Sequence, residues 1–287
     1  MDDAFPPFEP DGPRPPEGNE DEAARKRRLR EIQLRFVVPN IITVLAICSG
    51  LSAVRMAFEE RFDVAIGLIL LAAALDGLDG RMARLIKGTS KFGAEMDSLA
   101  DAVNFGVVPA LVLYIFVLDE AAQFGWIAAL IYVIACTLRL ARFNIMAGDV
   151  NRPRWQQGFF VGIPAPGGAF LVLLPVYLGF LGFSPDWVTA SVVSVYTVVI
   201  GFLMVSNLPV WSGKTIGGRI PRTAVMPLIL CVVLYAALLA NFTWTTLSLS
   251  SLAYLALLPV SVRLWRRQAA RHAPSDETGP EPHREDA

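Results

Sequence analysis

In Leu70-Leu71-Ala72-Ala73-Ala74-Leu75-Asp76-Gly77-Leu78-Asp79-Gly80-Arg81-Met82-Ala83-Arg84 a membrane-seeking aliphatic run passes directly into ionisable residues, and Gly93, Asp97 and Asp101 follow. The uninterrupted apolar run from Val64 to Leu75 covers only about 18 Å as a helix. Asp76 is therefore expected below the membrane surface, in a wet cavity. Ionisable groups inside a bilayer are costly, face the bundle interior and mark function. Asp76, Asp79/Gly80 and Ala83/Arg84 fall on one helical stripe, while Gly93, Asp97 and Asp101 recur at every fourth position on a second. Two facing stripes of acids describe a divalent-metal site.

Composition agrees with a membrane setting. Of 287 residues, 54% are hydrophobic and only 18% charged, and the mean hydropathy is +0.49. That balance is too apolar for an ordinary soluble domain and predicts an all-α, polytopic helix bundle. Cys48, Cys136 and Cys231 each lie in an apolar stretch at no metal-like spacing, and read as small buried hydrophobes. His272 and His283 both lie in the polar tail, which argues against Ser-His-Asp or histidine-metal chemistry. The catalytic repertoire is carboxylate plus metal, and no nucleic-acid partner is expected.

Eight apolar segments, near 37–57, 62–86, 95–118, 123–147, 159–182, 187–207, 222–241 and 245–265, reach the length of about 20 residues that a spanning helix needs. Basic residues mark one set of ends: Arg25 to Arg35, Arg81 to Lys91, Arg139 to Arg154, Lys214 to Arg222, and Arg263 to Arg271. The opposite loops carry Glu59, Glu60, Asp63, Asp119, Glu120 and Asp186. By the positive-inside rule both termini are cytoplasmic, and the acids sit at the cytoplasmic ends of spans 2 and 3. Residues 1–24 are rich in Pro, Glu, Asp and Gly and read as a disordered tail with no signal peptide. Residues 25–36 read either as a basic interfacial helix or as a plain positive-inside flank. Residues 37–214 form the main membrane domain, 215–267 an additional hairpin, and 268–287 a disordered polar tail.

The residues alone suggest metal-assisted phosphoryl chemistry at a membrane surface. Carboxylate oxygens suit Mg²⁺, Mn²⁺ or Ca²⁺, and paired ions clamp phosphoryl oxygens during in-line displacement. Gly80 and Ala83 remove side-chain bulk on the acid-bearing face, and Arg84 offers a bidentate phosphate donor. A buried salt-bridge network of these acids with Arg81, Arg84 and Lys87 is the structural alternative. A cation-coupled transporter is a further one, but it would place acids near the midplane with broken helices in matching halves. Here they cluster at one leaflet in one half.

The pattern Asp76-x2-Asp79-Gly80-x2-Ala83-Arg84-x8-Gly93-x3-Asp97-x3-Asp101 resembles the full signature of the CDP-alcohol phosphotransferase family. That resemblance implies metal ligation by Asp76, Asp79, Asp97 and Asp101, with Asp101 also the general base. It implies a cytidine diphosphate pocket lined by Asp76, Gly80, Ala83, Arg84 and Gly93. Pro39-Asn40-Ile41-Ile42-Thr43 is similar to the family's first-helix motif, in which Asn40 and Thr43 reach the nucleotide; by itself it also reads as a helix start.

Further stretches, Met96 to Ala110, Leu138 to Asn144, Phe160 to Pro166 and Met204 to Ser206, are similar to the phosphatidylserine synthase branch. From them the expected partners are CDP-diacylglycerol, L-serine and membrane lipids, the expected cofactor two divalent ions, and the expected assembly a homodimer in the inner (cytoplasmic) membrane. Serine brings a carboxylate that wants a guanidinium fork. Arg139 and Arg142, with Asn144 beyond them, are the candidate acceptor site, or else snorkelling cations at a helix end. Glycerol 3-phosphate, inositol phosphate or choline remain alternative acceptors.

Overall fold

The first two helices pack against each other largely through alanines. A computed structural model describes residues 34–85, 91–147, 159–183, 186–211 and 222–271. Helix α1 (Leu34–Phe58) and helix α2 (Phe62–Leu85) form an antiparallel hairpin through a tight turn at Glu59–Arg61. Ala46, Ala53 and Ala57 of α1 and Ala65 and Ala72 of α2 are buried, so the backbones approach closely, as small residues allow in lipid. The Ser49 hydroxyl donates to the Leu68 carbonyl at 2.8 Å and pins the pair.

Helix α3 (Lys91–Asp101) runs through one π-helical turn, Ala102–Val107, into α4 (Val108–Phe116). Pro109 explains the irregularity. It has no N–H to return to the Phe105 carbonyl, and the buried Tyr132 hydroxyl donates to that carbonyl instead at 2.9 Å. A 3₁₀ turn, Leu118–Ala121, leads into α5 (Ala122–Ala147). Gly125 lies against the Leu118 carbonyl with no room for a Cβ.

Strand β1 (Phe159–Val161) pairs antiparallel with β2 (Pro209–Trp211), Phe160 opposite Val210. Between them come α6 (Ala165–Val172), α7 (Leu174–Gly179) and α8 (Trp187–Val205). The Asp186 carboxylate caps α8 by accepting the Thr189 N–H at 2.7 Å, a bond that holds this exposed acid below the usual carboxylate range. The C-terminal hairpin consists of α9 (Arg222–Asn241) and α10 (Thr243–Arg271). Helix α10 docks on the core through the Ser261 hydroxyl, which donates to the Pro209 carbonyl at 2.8 Å. Trp244 also stacks on Phe180, with centroids 3.9 Å apart. No part of the α9 span is buried inside the chain.

Six of these helices are long and apolar enough to cross a membrane: Val38–Phe58, Phe92–Phe116, Leu118–Met146, Val188–Val205, Ala224–Asn241 and Thr243–Trp265. Two of the eight expected segments differ. Helix α2 has 24 residues but carries Asp63, Asp76, Asp79, Arg81 and Arg84, so its charges keep it out of that set. The single span expected over 159–182 is instead a short strand followed by two short helices. Pro175 cannot donate to the preceding turn, and the chain breaks at Leu173. The interfacial reading of 25–36 falls largely outside the described residues, as do the tail at 1–24 and residues 272–287 of the other.

Candidate metal and phosphoryl-transfer site

The α1–α2 hairpin and α3 converge where their acids lie. Three positions apart on α2, Asp76 and Asp79 present their carboxylates on one face, and Asp97 of α3 faces them. One carboxylate oxygen from each of the three lies within 4.8 Å of the other two. Asp79 is 3% exposed. Asp101, one turn beyond Asp97, lies within electrostatic range of Asp76 and Asp97, so all four acids share one cleft.

Thr43 reaches into this cleft from α1. Its buried hydroxyl stands 2.6 Å from Asp79 Oδ2 and 3.1 Å from the Pro39 carbonyl one turn earlier. A hydroxyl has one proton, and an ionised carboxylate is the stronger acceptor. Thr43 thus fixes Asp79 through Oδ2. Asp79 Oδ1 and Asp76 Oδ1 are buried and, among the described residues, take no hydrogen bond. Buried carboxylate oxygens without a donor are costly. Here they converge as hard oxygen donors, the set that suits a divalent cation. The residues present therefore fit such an ion.

The surroundings leave room for a ligand. A Cβ added at Gly77 or Gly80 would meet nothing within 4 Å, so neither glycine serves helix packing. Asn40 and Gly93 are half-buried near the same ends of α1 and α3. Ala83 and Arg84 lie on the next turn of α2, but their side chains fall outside the described residues. A cavity of about 330 Å³ at the Glu60–Asp63 turn, lined also by Phe116 and Phe180, shares no residue with the acids.

The three acceptor candidates on α5 have different surroundings. Arg142 is a clamp. Its terminal nitrogens donate to the carbonyls of Val205 (2.8 Å), Ser206 (3.1 Å), Val161 (3.3 Å) and Met204 (3.4 Å), and to Asn207 Oδ1 (3.1 Å). These bonds tie α5 to the end of α8 and to β1, where Gly162 takes a φ of 76° against the Met204 carbonyl. Asn144 donates to the Ser98 hydroxyl at 2.9 Å, beside Asp97. Arg139 is 7% exposed, packs over the Phe143 ring at 5.2 Å, and lies within electrostatic range of Asp101. Among the described residues it takes no hydrogen bond or ion pair.

Sequence reasoning assigned Thr43 to the nucleotide and did not foresee its bond to Asp79. It also missed Tyr254 of α10, whose buried hydroxyl has no partner among the described residues and lies within electrostatic range of Arg139. No local pattern around Tyr254 signals this, since its neighbours come from distant helices.

The model of the family described as CDP-alcohol phosphatidyltransferase matches residues 36–203, and one described as CDP-alcohol phosphatidyltransferase 2 matches residues 223–259. The second match brings the C-terminal hairpin within the resemblance. A protein of Mycobacterium leprae (strain TN) named CDP-diacylglycerol–serine O-phosphatidyltransferase is 38% identical over 263 residues, 91% of this chain and 85% of the relative. Its namesake in Mycobacterium tuberculosis (strain ATCC 25618 / H37Rv) is 38% identical over 86% of this chain and 85% of its own length. That of Helicobacter pylori (strain ATCC 700392 / 26695) is 38% identical over 60% of this chain and 71% of its own length.

Proposed function

The chain belongs to the CDP-alcohol phosphatidyltransferase family, and on that premise we propose that it transfers the phosphatidyl group of CDP-diacylglycerol to L-serine, releasing CMP and phosphatidylserine. The observation that carries the chemistry is the cleft of four acids with two orphaned carboxylate oxygens. The acceptor rests on the shared name of relatives that cover most of the chain.

Asp76, Asp79 and Asp97, with Asp101 beside them, would hold two divalent ions, Mg²⁺ or Mn²⁺ in preference to Ca²⁺. When bound, such ions supply charge stabilisation to the phosphoryl oxygens and to the leaving phosphate. The chain's own residues do the rest. Asp101 takes the proton from the serine hydroxyl as that oxygen attacks the phosphorus bearing the diacylglycerol. The new O–P bond forms as the bond to the CMP phosphate breaks, so no covalent enzyme intermediate is needed. Gly80, Ala83, Arg84 and Gly93 line the cytidine diphosphate side with Asn40 and Thr43, the open space at Gly80 admitting the ligand. Thr43 orients Asp79 there. Arg139 faces the bound serine, while Arg142 and Asn144 hold the wall behind it.

In this reading α2 and the α6–α7 segment join the six apolar helices as membrane-embedded elements, making eight with both termini cytoplasmic. The basic helix ends support that orientation. Acyl chains enter sideways from lipid and serine from the cytosol of a cell with this protein in its inner membrane. The working unit is a homodimer, which the native mass of purified protein checks.

An acceptor screen tests the function. Purified protein with CDP-diacylglycerol and Mn²⁺ or Mg²⁺ is offered serine, glycerol 3-phosphate, inositol phosphate or choline. CMP release with serine alone supports the proposal, and release only with another alcohol replaces it.

A further inference from the structure

We infer that Tyr254, carried by the C-terminal hairpin, completes the acceptor pocket by donating its hydroxyl to the carboxylate of the bound amino acid, opposite Arg139. This rests on the serine reading above and adds a specificity-determining residue to it.

Three observations meet at one place. Arg139 is more than nine-tenths buried and, among the described residues, has no hydrogen-bonding or ionic partner, yet it lies within electrostatic range of both Asp101 and Tyr254. The Tyr254 hydroxyl is fully buried and likewise makes no hydrogen bond. A buried phenol is expensive to leave without an acceptor, and a guanidinium more than nine-tenths withdrawn from water favours an anion beside it. Both are donors, so what satisfies them together is an anion small enough to enter. Gly167 is the third element. Its missing side chain leaves the Tyr254 hydroxyl room, since a Cβ there would stand 3.3 Å from it and press on it. Gly167 is also the third residue of α6, where the first intrahelical bond runs from the Gly168 N–H to the Pro164 carbonyl. Its own N–H therefore precedes that ladder and adds a donor of the same sign.

Measured on α3 and α5 from the helix end and on α10 from the basic residue Arg263, eight residues short of its end, the depths of these groups are similar. Asp101 lies about 15 Å along α3 from its Lys91 end, and Arg139 about 12 Å from the Ala147 end of α5. Tyr254 lies about 14 Å from Arg263 on α10. An amino acid with its hydroxyl at Asp101 and its carboxylate between Arg139 and Tyr254 spans that level of the bundle. The alcohol is thus read at one end by a base and at the other by two donors. An acceptor lacking the carboxylate would leave both donors unmet, which is the strongest kind of discrimination a buried polar site offers.

The test compares wild type with Tyr254→Phe, which keeps the ring and removes only the hydroxyl. Serine and ethanolamine, which is serine without its carboxylate, are the acceptors, and CMP release is the readout. Loss of a hydrogen bond to a charged group is expected to raise the KM for serine about tenfold to a hundredfold. The KM for CDP-diacylglycerol and the slow ethanolamine rate should stay within about twofold, so the serine-to-ethanolamine ratio falls. An unchanged serine KM, or equal losses with both acceptors, overturns the inference. Stabilisation of the variant by CDP, measured in a melting assay, separates misfolding from loss of a contact. Wild type that releases no CMP with serine fails the functional reading itself, and that result is distinct from a silent Tyr254→Phe.

Discussion

Two polar knots sit in this bundle, and they differ in how their demands are met. Around Arg142 every terminal nitrogen finds protein oxygen: four carbonyls and the Asn207 amide. Around Asp76 and Asp79 two buried oxygens find nothing, and the only guanidinium in electrostatic contact with that acid group among the described residues is Arg139, beside Asp101. A knot that satisfies itself holds structure together. One that leaves like charges facing each other does so at the expense of stability, and a bound cation or substrate repays the cost. Polarity inside the membrane is common to both, so satisfaction rather than charge separates scaffold from site.

The largest effect should come from withdrawing what the acid cleft lacks. Stripping divalent ions with a chelator is expected to cut CMP release by at least about 10³-fold, several kcal/mol of barrier, and Mg²⁺ or Mn²⁺ should restore it. Activity indifferent to chelation would make the cleft a scaffold like the Arg142 knot. Next comes Asp101→Asn, which keeps size and polarity but cannot accept the serine proton. Turnover should fall about 10²- to 10⁴-fold while stabilisation by CDP persists. Near-normal turnover would remove Asp101 from the role of base.

The contrast was only half visible in the sequence. The acids were legible because helical spacing alone puts Asp76 with Asp79 and Asp97 with Asp101 on shared stripes, and the apolar context gives them weight. What the cleft does with Thr43 was not, because the Asp79 bond crosses between helices. Arg142 read from sequence as a cation at a helix end with two roles open. Its partners come from β1 and the end of α8, far along the chain. The break at Pro175 was written in the residue itself, but a long aliphatic run outweighed a single missing donor. The π-turn needed both Pro109 and the remote Tyr132 hydroxyl, and no window of sequence contains the two.

Arg142→Gln sharpens the comparison from the scaffold side. Removing a guanidinium leaves partly buried carbonyls without that donor, at up to about 1–3 kcal/mol for each one stranded. The variant should melt several degrees lower in detergent while the serine KM of the protein that remains folded moves less than about twofold. A raised serine KM with melting unchanged would transfer Arg142 to the acceptor pocket and break the distinction between the knots.

Thr43→Val is the finest probe, since Thr43 sits where the two kinds of polar contact meet. Its one proton faces two acceptors, Asp79 Oδ2 of the site at 2.6 Å and the Pro39 carbonyl of the scaffold at 3.1 Å, the back-bond threonine makes within helices. Valine keeps the shape and removes the donor from both. If the Asp79 bond is what matters, the carboxylate loses its anchor, and the ion concentration for half-maximal activity should rise about tenfold, within the range for losing a partner of a metal ligand. The KM for CDP-diacylglycerol would then hardly change, and Thr43→Ser would restore the metal requirement. If Thr43 instead reaches the nucleotide, as its position in the first-helix motif implies, the KM for CDP-diacylglycerol rises while the metal requirement stays put. If only the back-bond counts, neither constant moves, because the Pro39 carbonyl keeps its place in the helical ladder.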